Sequence, residues 1–173
     1  MTNFKEDLSR IKAFIFDIDG VLSTQTVYFS PQDEPVRTLN LRDGYAIQWA
    51  IKTGYKVAII SGAHNENLRT RYEGLGISDI YLNAANKIDS YRHFMEKNNL
   101  KDQDVLYMGD DIPDYNVMSM VGVAACPQDA AVEIKEIADY QSPFKGGHHC
   151  VRDVIEQTLR VQDKWFKAEA HEW

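Results

Sequence analysis

Residues 12–20, KAFIFDIDG, decide how the rest of the chain is read. The run is strand-sized, rich in Phe and Ile, and ends in two aspartates and a glycine, which predicts a buried strand with a polar tip. Residues 21–41 then divide into two β-rich arms, VLSTQTVYF and PVRTLNL, around a polar SPQDE turn, which predicts a hairpin. RDGYAIQWAIKTG at 42–54 sets Ile47, Ala50 and Ile51 on one face and stops at Gly54, as a helix with a glycine C-terminus does. YKVAII follows as a buried strand. The alternation continues with a helix near 65–74, the strand DIYL, a helix at 87–98, the strand DVLYM and a helix near 113–121. VAAC, a helix at 129–137 and a last helix from about 150 complete it. This rhythm predicts an α/β fold, a doubly wound, mostly parallel Rossmann-like sheet with helices on both faces. Residues 1–173 read as one domain, with the hairpin at 21–41 and a C-terminal tail and helix at 143–173. PFKGGHH at 143–149 reads as flexible, so the tail is expected to move independently.

Composition narrows the function. At 44% hydrophobic and 26% charged, with 10 Gly and 5 Pro, the chain is an ordinary globular one and not a disordered or low-complexity one. Its formal charge of −7 and lack of a Lys/Arg run argue against nucleic acid and an anionic membrane as partners. Cys126 and Cys150 lie in no metal or redox spacing and read as small buried hydrophobes. The N-terminus lacks the apolar core of a signal peptide and no aliphatic run is membrane-sized, so a cytoplasmic location is expected.

In a doubly wound sheet, ligands bind beyond the carboxyl ends of the strands. Those ends carry Asp17 and Asp19, then Ser61 and Gly62, then Lys87, then Gly109, Asp110, Asp111 and Asp114. Five carboxylates gathered in a partly desolvated cleft repel one another, and a divalent cation relieves that conflict. The candidate ligands are all oxygen donors, which points to a hard ion, Mg²⁺.

FDIDGV at 16–21, IISG at 59–62, Lys87 opening a helix and YMGDDIPD at 107–114 resemble, in order, the four motifs of the haloacid dehalogenase superfamily of phosphotransferases. The resemblance implies that Asp17 attacks phosphorus and becomes an aspartyl phosphate. It implies that Asp19 protonates the leaving oxygen and then activates water, a task that suits a second carboxyl two residues on. It further implies that Ser61 and Gly62 bind the phosphoryl oxygens and that Lys87 offsets their charge. Asp17, Asp19 and Asp110 are the implied metal residues, and Asp111 and Asp114 the implied outer partners that orient water and Lys87.

The segments between motifs, Gly20 to Ile60 and Gly62 to Asn86, leave no room for the inserted cap domain of many relatives. GVLS, the hairpin, LNLRDGYAI at 39–47 and KGGHHCVRDVIEQTL at 145–159 look like the capless 3-deoxy-D-manno-octulosonate 8-phosphate phosphatases of lipopolysaccharide synthesis. That likeness implies a homotetramer with packed hairpins, a Gly-Gly tail able to cover a neighbour's site, and Arg42 and Arg71 meeting the substrate carboxylate. Ala63 and His64 stand where many members have a basic residue, and His148 and His149 follow the glycines where many have Arg or Lys. Both differences keep a nonulosonate 9-phosphate open as the substrate. A signalling receiver module shares the sheet, the acids and Mg²⁺, but carries its phosphoacceptor on the third strand, whereas the acids here sit on the first and fourth. A catalytically silent scaffold would not need Asp17, Asp19, Ser61, Lys87 and Asp110 together.

Overall fold

The computed structural model describes residues 4–31 and 35–171. A short helix α1 (Phe4–Leu8) leads into β1 (Ala13–Phe16). A two-stranded antiparallel ribbon follows, β2 (Tyr28–Phe29) paired with β3 (Pro35–Val36), and then α2 (Leu41–Lys52). Next come β4 (Lys56–Ile60), α3 (Glu66–Glu73), β5 (Asp79–Tyr81), α4 (Lys87–Asn98) and β6 (Val105–Met108). The chain ends through α5 (Tyr115–Met118), β7 (Val123–Cys126), α6 (Val132–Ile137), β8 (Tyr140–Gln141) and α7 (Cys150–Val161). Six strands form one parallel sheet in the order β5-β4-β1-β6-β7-β8.

β1 is central because every one of its side chains is apolar and buried. Its alternation splits them between two cores. Phe14 and Phe16 join Val57, Ile59, Leu106 and Met108 beneath α1, α2 and α7. Ala13 and Ile15 join Ala58, Ile60, Val105 and Tyr107 against α4, α5 and α6. From β1 the chain first builds outward through β4 and β5, then crosses back to β6, β7 and β8. The carboxyl ends of β1 and β6 therefore flank the point where the winding reverses. The segments between β1 and β6 hold only the ribbon, α2, β4, α3, β5, α4 and a 3₁₀ turn at Asp102–Asp104, so no cap domain is inserted among the described residues. No described helix is long and apolar enough to cross a membrane.

Most elements fall where the sequence placed them, with Thr53 and Gly54 (φ +97°) ending α2. Three differences stand out. The helix expected near 113–121 is only α5, because Pro113 starts a 3₁₀ turn at Ile112–Asp114. The long hairpin arms shrink to two paired residues each, since Val21 and Leu22 turn inward and are buried; part of the expected turn lies outside the described residues. β8 and α1 have no counterpart in the sequence reading, being too short to show a period.

The tail at 143–149 is docked, not independent. Gly147 N–H donates to the Val21 carbonyl (2.8 Å), Gly146 N–H to Asp129 Oδ1 (2.9 Å) and Asn40 Nδ2 to the Gly147 carbonyl (3.1 Å). These bonds satisfy the backbone that a free tail would leave to water. Gly146 lies so close to Gly20 that a Cβ there would run into the Gly20 carbonyl oxygen. Gly146→Ala should therefore lower unfolding stability by about 1–3 kcal/mol, read from urea unfolding curves. An unchanged midpoint would show that the tail is not held on Gly20.

Candidate active site

Asp17 leaves the end of β1 still tied to the sheet, its N–H donating to the Met108 carbonyl (3.2 Å) while its Oδ1 accepts from Ile18 N–H (2.6 Å). Lys87 is the first residue of α4, whose start is capped by the Asn86 side chain. Its Nζ lies 2.8 Å from Asp17 Oδ2 and 2.7 Å from Asp114 Oδ1. Asp114 also accepts from the buried Tyr107 hydroxyl (2.5 Å) and, through Oδ2, from Asp110 N–H (3.2 Å). Gly20 (φ +84°) gives the chain its turn after Asp19 and leaves space that a Cβ would take from the Asp110 carboxylate.

Asp17, Lys87, Asp110 and Asp114 line an open cleft of about 810 Å³, together with Asp19, Ser61, Gly62, Asp111 and the rim residues Ala63 and His64. Ser61 is buried, and its Oγ accepts from Ala63 N–H (3.3 Å). Asp111 is exposed at the cleft. Arg42 lies elsewhere, in a groove with Phe144, His149 and Arg152, and Arg71 is half-buried on α3 outside the cleft lining, its Nε without a partner. Within one chain, the fold does not bring either arginine to Asp17.

Asp19 is held differently from its neighbours. Arg37 grips it with both prongs, Nε to Oδ1 at 2.7 Å and Nη2 to Oδ2 at 2.8 Å. Sequence reasoning passed over Arg37, a lone basic residue on a hairpin arm. Nothing in the sequence says which acid a basic residue on such an arm reaches.

Burial pushes the Asp17 carboxyl up to about 6, with the Asp114 charge adding to the shift and Lys87 opposing it. Burial likewise pushes Asp110 up to about 7, reinforced by Asp17 and Asp114. Burial disfavours the Lys87 charge, yet the two carboxylates outweigh it and hold its pKa above the ordinary value. One ammonium does not neutralise this group, and oxygens of Asp17, Asp110 and Asp114 lie within 4.8 Å of one another. An all-oxygen, charge-deficient donor set of this size suits a hard divalent cation. Asp114 stands in that cluster where the sequence resemblance pointed to Asp19, whose carboxylate is in the Arg37 fork. Asp114 is engaged by Lys87, Tyr107 and Asp110 N–H, and Asp17 by Ile18 N–H and Lys87, whereas the Asp110 carboxylate accepts only a long bond from Gln25 Nε2 (3.3 Å) among the bonds of the described residues.

A profile of haloacid dehalogenase-like hydrolases matches residues 63–155. The 3-deoxy-D-manno-octulosonate 8-phosphate phosphatase of Escherichia coli is 35% identical over 158 residues, 91% of this chain and 84% of that protein. The chain belongs to this family of phosphatases. The phosphatase fold is shared in detail with the Yersinia pestis enzyme of the same name, whose crystal structure superposes with a TM-score of 0.90 at 34% identity, covering 92% of this chain and 86% of that one. A Moraxella catarrhalis phosphatase was solved with a magnesium ion, a phosphate ion and KDO; it superposes with a TM-score of 0.89 at 25% identity over 93% of this chain and 92% of that one. As a member of this family, the present chain is a hydrolase of phosphoric monoesters.

Protons and Mg²⁺ compete for the same raised carboxylates, so metal affinity should weaken as pH falls through the values of Asp110 and Asp17. Calorimetric titration with Mg²⁺ should show tighter binding at about pH 8 than at about pH 6, with proton release at the lower pH, and Asp110→Asn should remove most of it. Equal affinity at both values would exclude these two carboxyls as ligands.

Proposed function

We propose that this phosphatase is Mg²⁺-dependent and hydrolyses 3-deoxy-D-manno-octulosonate 8-phosphate through an aspartyl phosphate on Asp17. The observation that carries the reading is the buried Asp17–Lys87–Asp114 chain opening onto a cleft with Asp19 and Asp110, in a protein 35% identical over 158 residues to an enzyme of that name. Asp17 attacks phosphorus while the bond from phosphorus to the sugar oxygen breaks, and Asp19 gives that oxygen its proton. Asp19 then takes a proton from water, whose oxygen displaces Asp17 and releases phosphate. Ser61 and Gly62 donate to the phosphoryl oxygens, and Lys87 keeps Asp17 aligned and its charge offset. Mg²⁺, when held by Asp17 and Asp110, supplies the positive charge that lets a carboxylate approach a phosphate dianion. A nonulosonate 9-phosphate remains a second reading, favoured by Ala63 and His64 at the cleft rim in place of a fixed positive charge.

A panel of the octulosonate 8-phosphate, a nonulosonate 9-phosphate and a chromogenic phosphate ester tests this. The expected result is the highest kcat/KM on the octulosonate ester, loss of turnover on chelation with recovery on Mg²⁺ addition, and a fall of at least about 10³-fold in Asp17→Asn. Activity that survives both chelation and Asp17→Asn would refute the mechanism, and preference for the longer acid would move the substrate assignment.

The same proposal includes a homotetramer and a cytoplasmic location. A two-stranded ribbon is marginal by itself, yet this one exposes Tyr28 (72%), Phe29 (67%) and, at its base, Leu41 (68%). Packing ribbon on ribbon buries them and leaves the cleft side free. Two buried free cysteines suit a reducing compartment. Light scattering should give four copies for the wild type and a smaller species for Tyr28→Glu combined with Phe29→Glu. A wild-type monomer would remove the tetramer.

A further inference from the structure

The Arg37–Asp19 fork has the wrong form for a group about to transfer a proton. Both oxygens of Asp19 are engaged, at 2.7 and 2.8 Å. The carboxylate cannot turn toward a leaving oxygen without giving up one of two charge-assisted bonds. The backbone beyond Arg37 does not offer a way out, because Thr38 N–H donates to Ser23 Oγ (3.1 Å) and Thr24 N–H to Thr38 Oγ1 (3.0 Å). Release of Asp19 therefore falls to the Arg37 side chain itself, which is 11% exposed against 40% for Asp19.

Among the described residues lining the cleft, Arg37 and Lys87 are the fixed cations. Lys87 is locked between Asp17 and Asp114 with its side chain 5% exposed. Ala63 and His64 occupy the rim without a fixed charge. An anionic group on the non-reacting end of a substrate therefore finds one cation whose partner it can replace, and that partner is itself a carboxylate. Exchange of one carboxylate for another in a guanidinium fork keeps the number and kind of bonds, whereas a neutral sugar must break the fork without replacement.

We propose that Arg37 selects phosphate esters that carry a carboxylate: without substrate it clasps Asp19, and the substrate carboxylate takes over the same two-pronged contact and frees Asp19 to reach the leaving oxygen. The inference rests on the sugar-acid phosphatase reading and adds the residue that enforces it. Arg37 becomes a specificity residue in contact with substrate and, in the free enzyme, a latch on the acid–base.

Two esters of primary alcohols separate the outcomes, 3-deoxy-D-manno-octulosonate 8-phosphate and ribose 5-phosphate, assayed with wild type, Arg37→Gln and Arg37→Lys. Arg37→Gln should lower kcat/KM on the octulosonate ester by about 100-fold, as loss of a partly buried charge pair does. On ribose 5-phosphate the same variant should gain about 3-fold, because the latch is gone. Arg37→Lys, which keeps charge but cannot form the fork, should lie between them on both esters. Parallel losses on the two esters, or no change on either, would overturn the proposal, and if Arg37→Gln does not fold, the same comparison in Arg37→Lys decides it. Wild type without preference for the octulosonate ester would instead overturn the sugar-acid reading, and is seen before any variant is made.

Discussion

Three carboxylates share a desolvated pocket with a single ammonium, and the site is arranged around that imbalance. Lys87 must arrive at the pocket already aimed, so it is the first residue of a helix whose start is fixed by Asn86. Its Nζ then divides between Asp17 and Asp114, while Tyr107 from β6 supplies Asp114 with a further donor. Breaking a buried arrangement of this kind by removing one partner is costly, since the remaining charge has neither water nor counter-ion. The charge left over after Lys87 is accounted for is what makes the pocket a cation site. The raised Asp17 and Asp110 carboxyls and the fit to Mg²⁺ are two expressions of the same deficit.

Geometry beneath the pocket is set by close backbone approach. The Asp110 carboxylate rests against Gly20, and Gly20 in turn against Gly146, so no side chain separates this acid from the C-terminal segment. A second tie joins the same regions, because the buried Asp43 at the start of α2 accepts from Arg152 N–H (2.7 Å) in the first turn of α7. Burial pushes the Asp43 carboxyl up to about 6, which is the cost of placing an acid where it can clamp two helix starts. The segment that looks most like a free tail is therefore part of the floor under the site.

The ribbon works on two sides at once. Its outer residues are apolar and exposed, while Arg37, next to the exposed Val36, points back into the cleft. Alternation along an extended arm puts neighbouring residues on opposite faces, so Val36 is exposed while Arg37, just past β3, reaches the cleft.

The sequence by itself determined the sheet, its direction and the acids at its tips. Apolar runs such as AFIF and VLYM are local signals, and an aspartate that follows one must emerge at the carboxyl edge, which is why Asp17, Ser61, Lys87 and Asp110 could be named without coordinates. The resemblance of their motifs carried the chemistry further than spacing alone could. Only the tertiary structure decided the pairings that join distant residues: Arg37 with Asp19, Asp114 with Lys87 and Tyr107, and Gly146 beneath Gly20. It also shortened the hairpin, shortened the helix that follows Pro113, and set Arg42 and Arg71 apart from the cleft. Local runs record which face of the sheet a residue meets, because burial alternates with backbone period. Long-range contacts depend on how loops close and which backbones approach, and no periodicity in the chain encodes that.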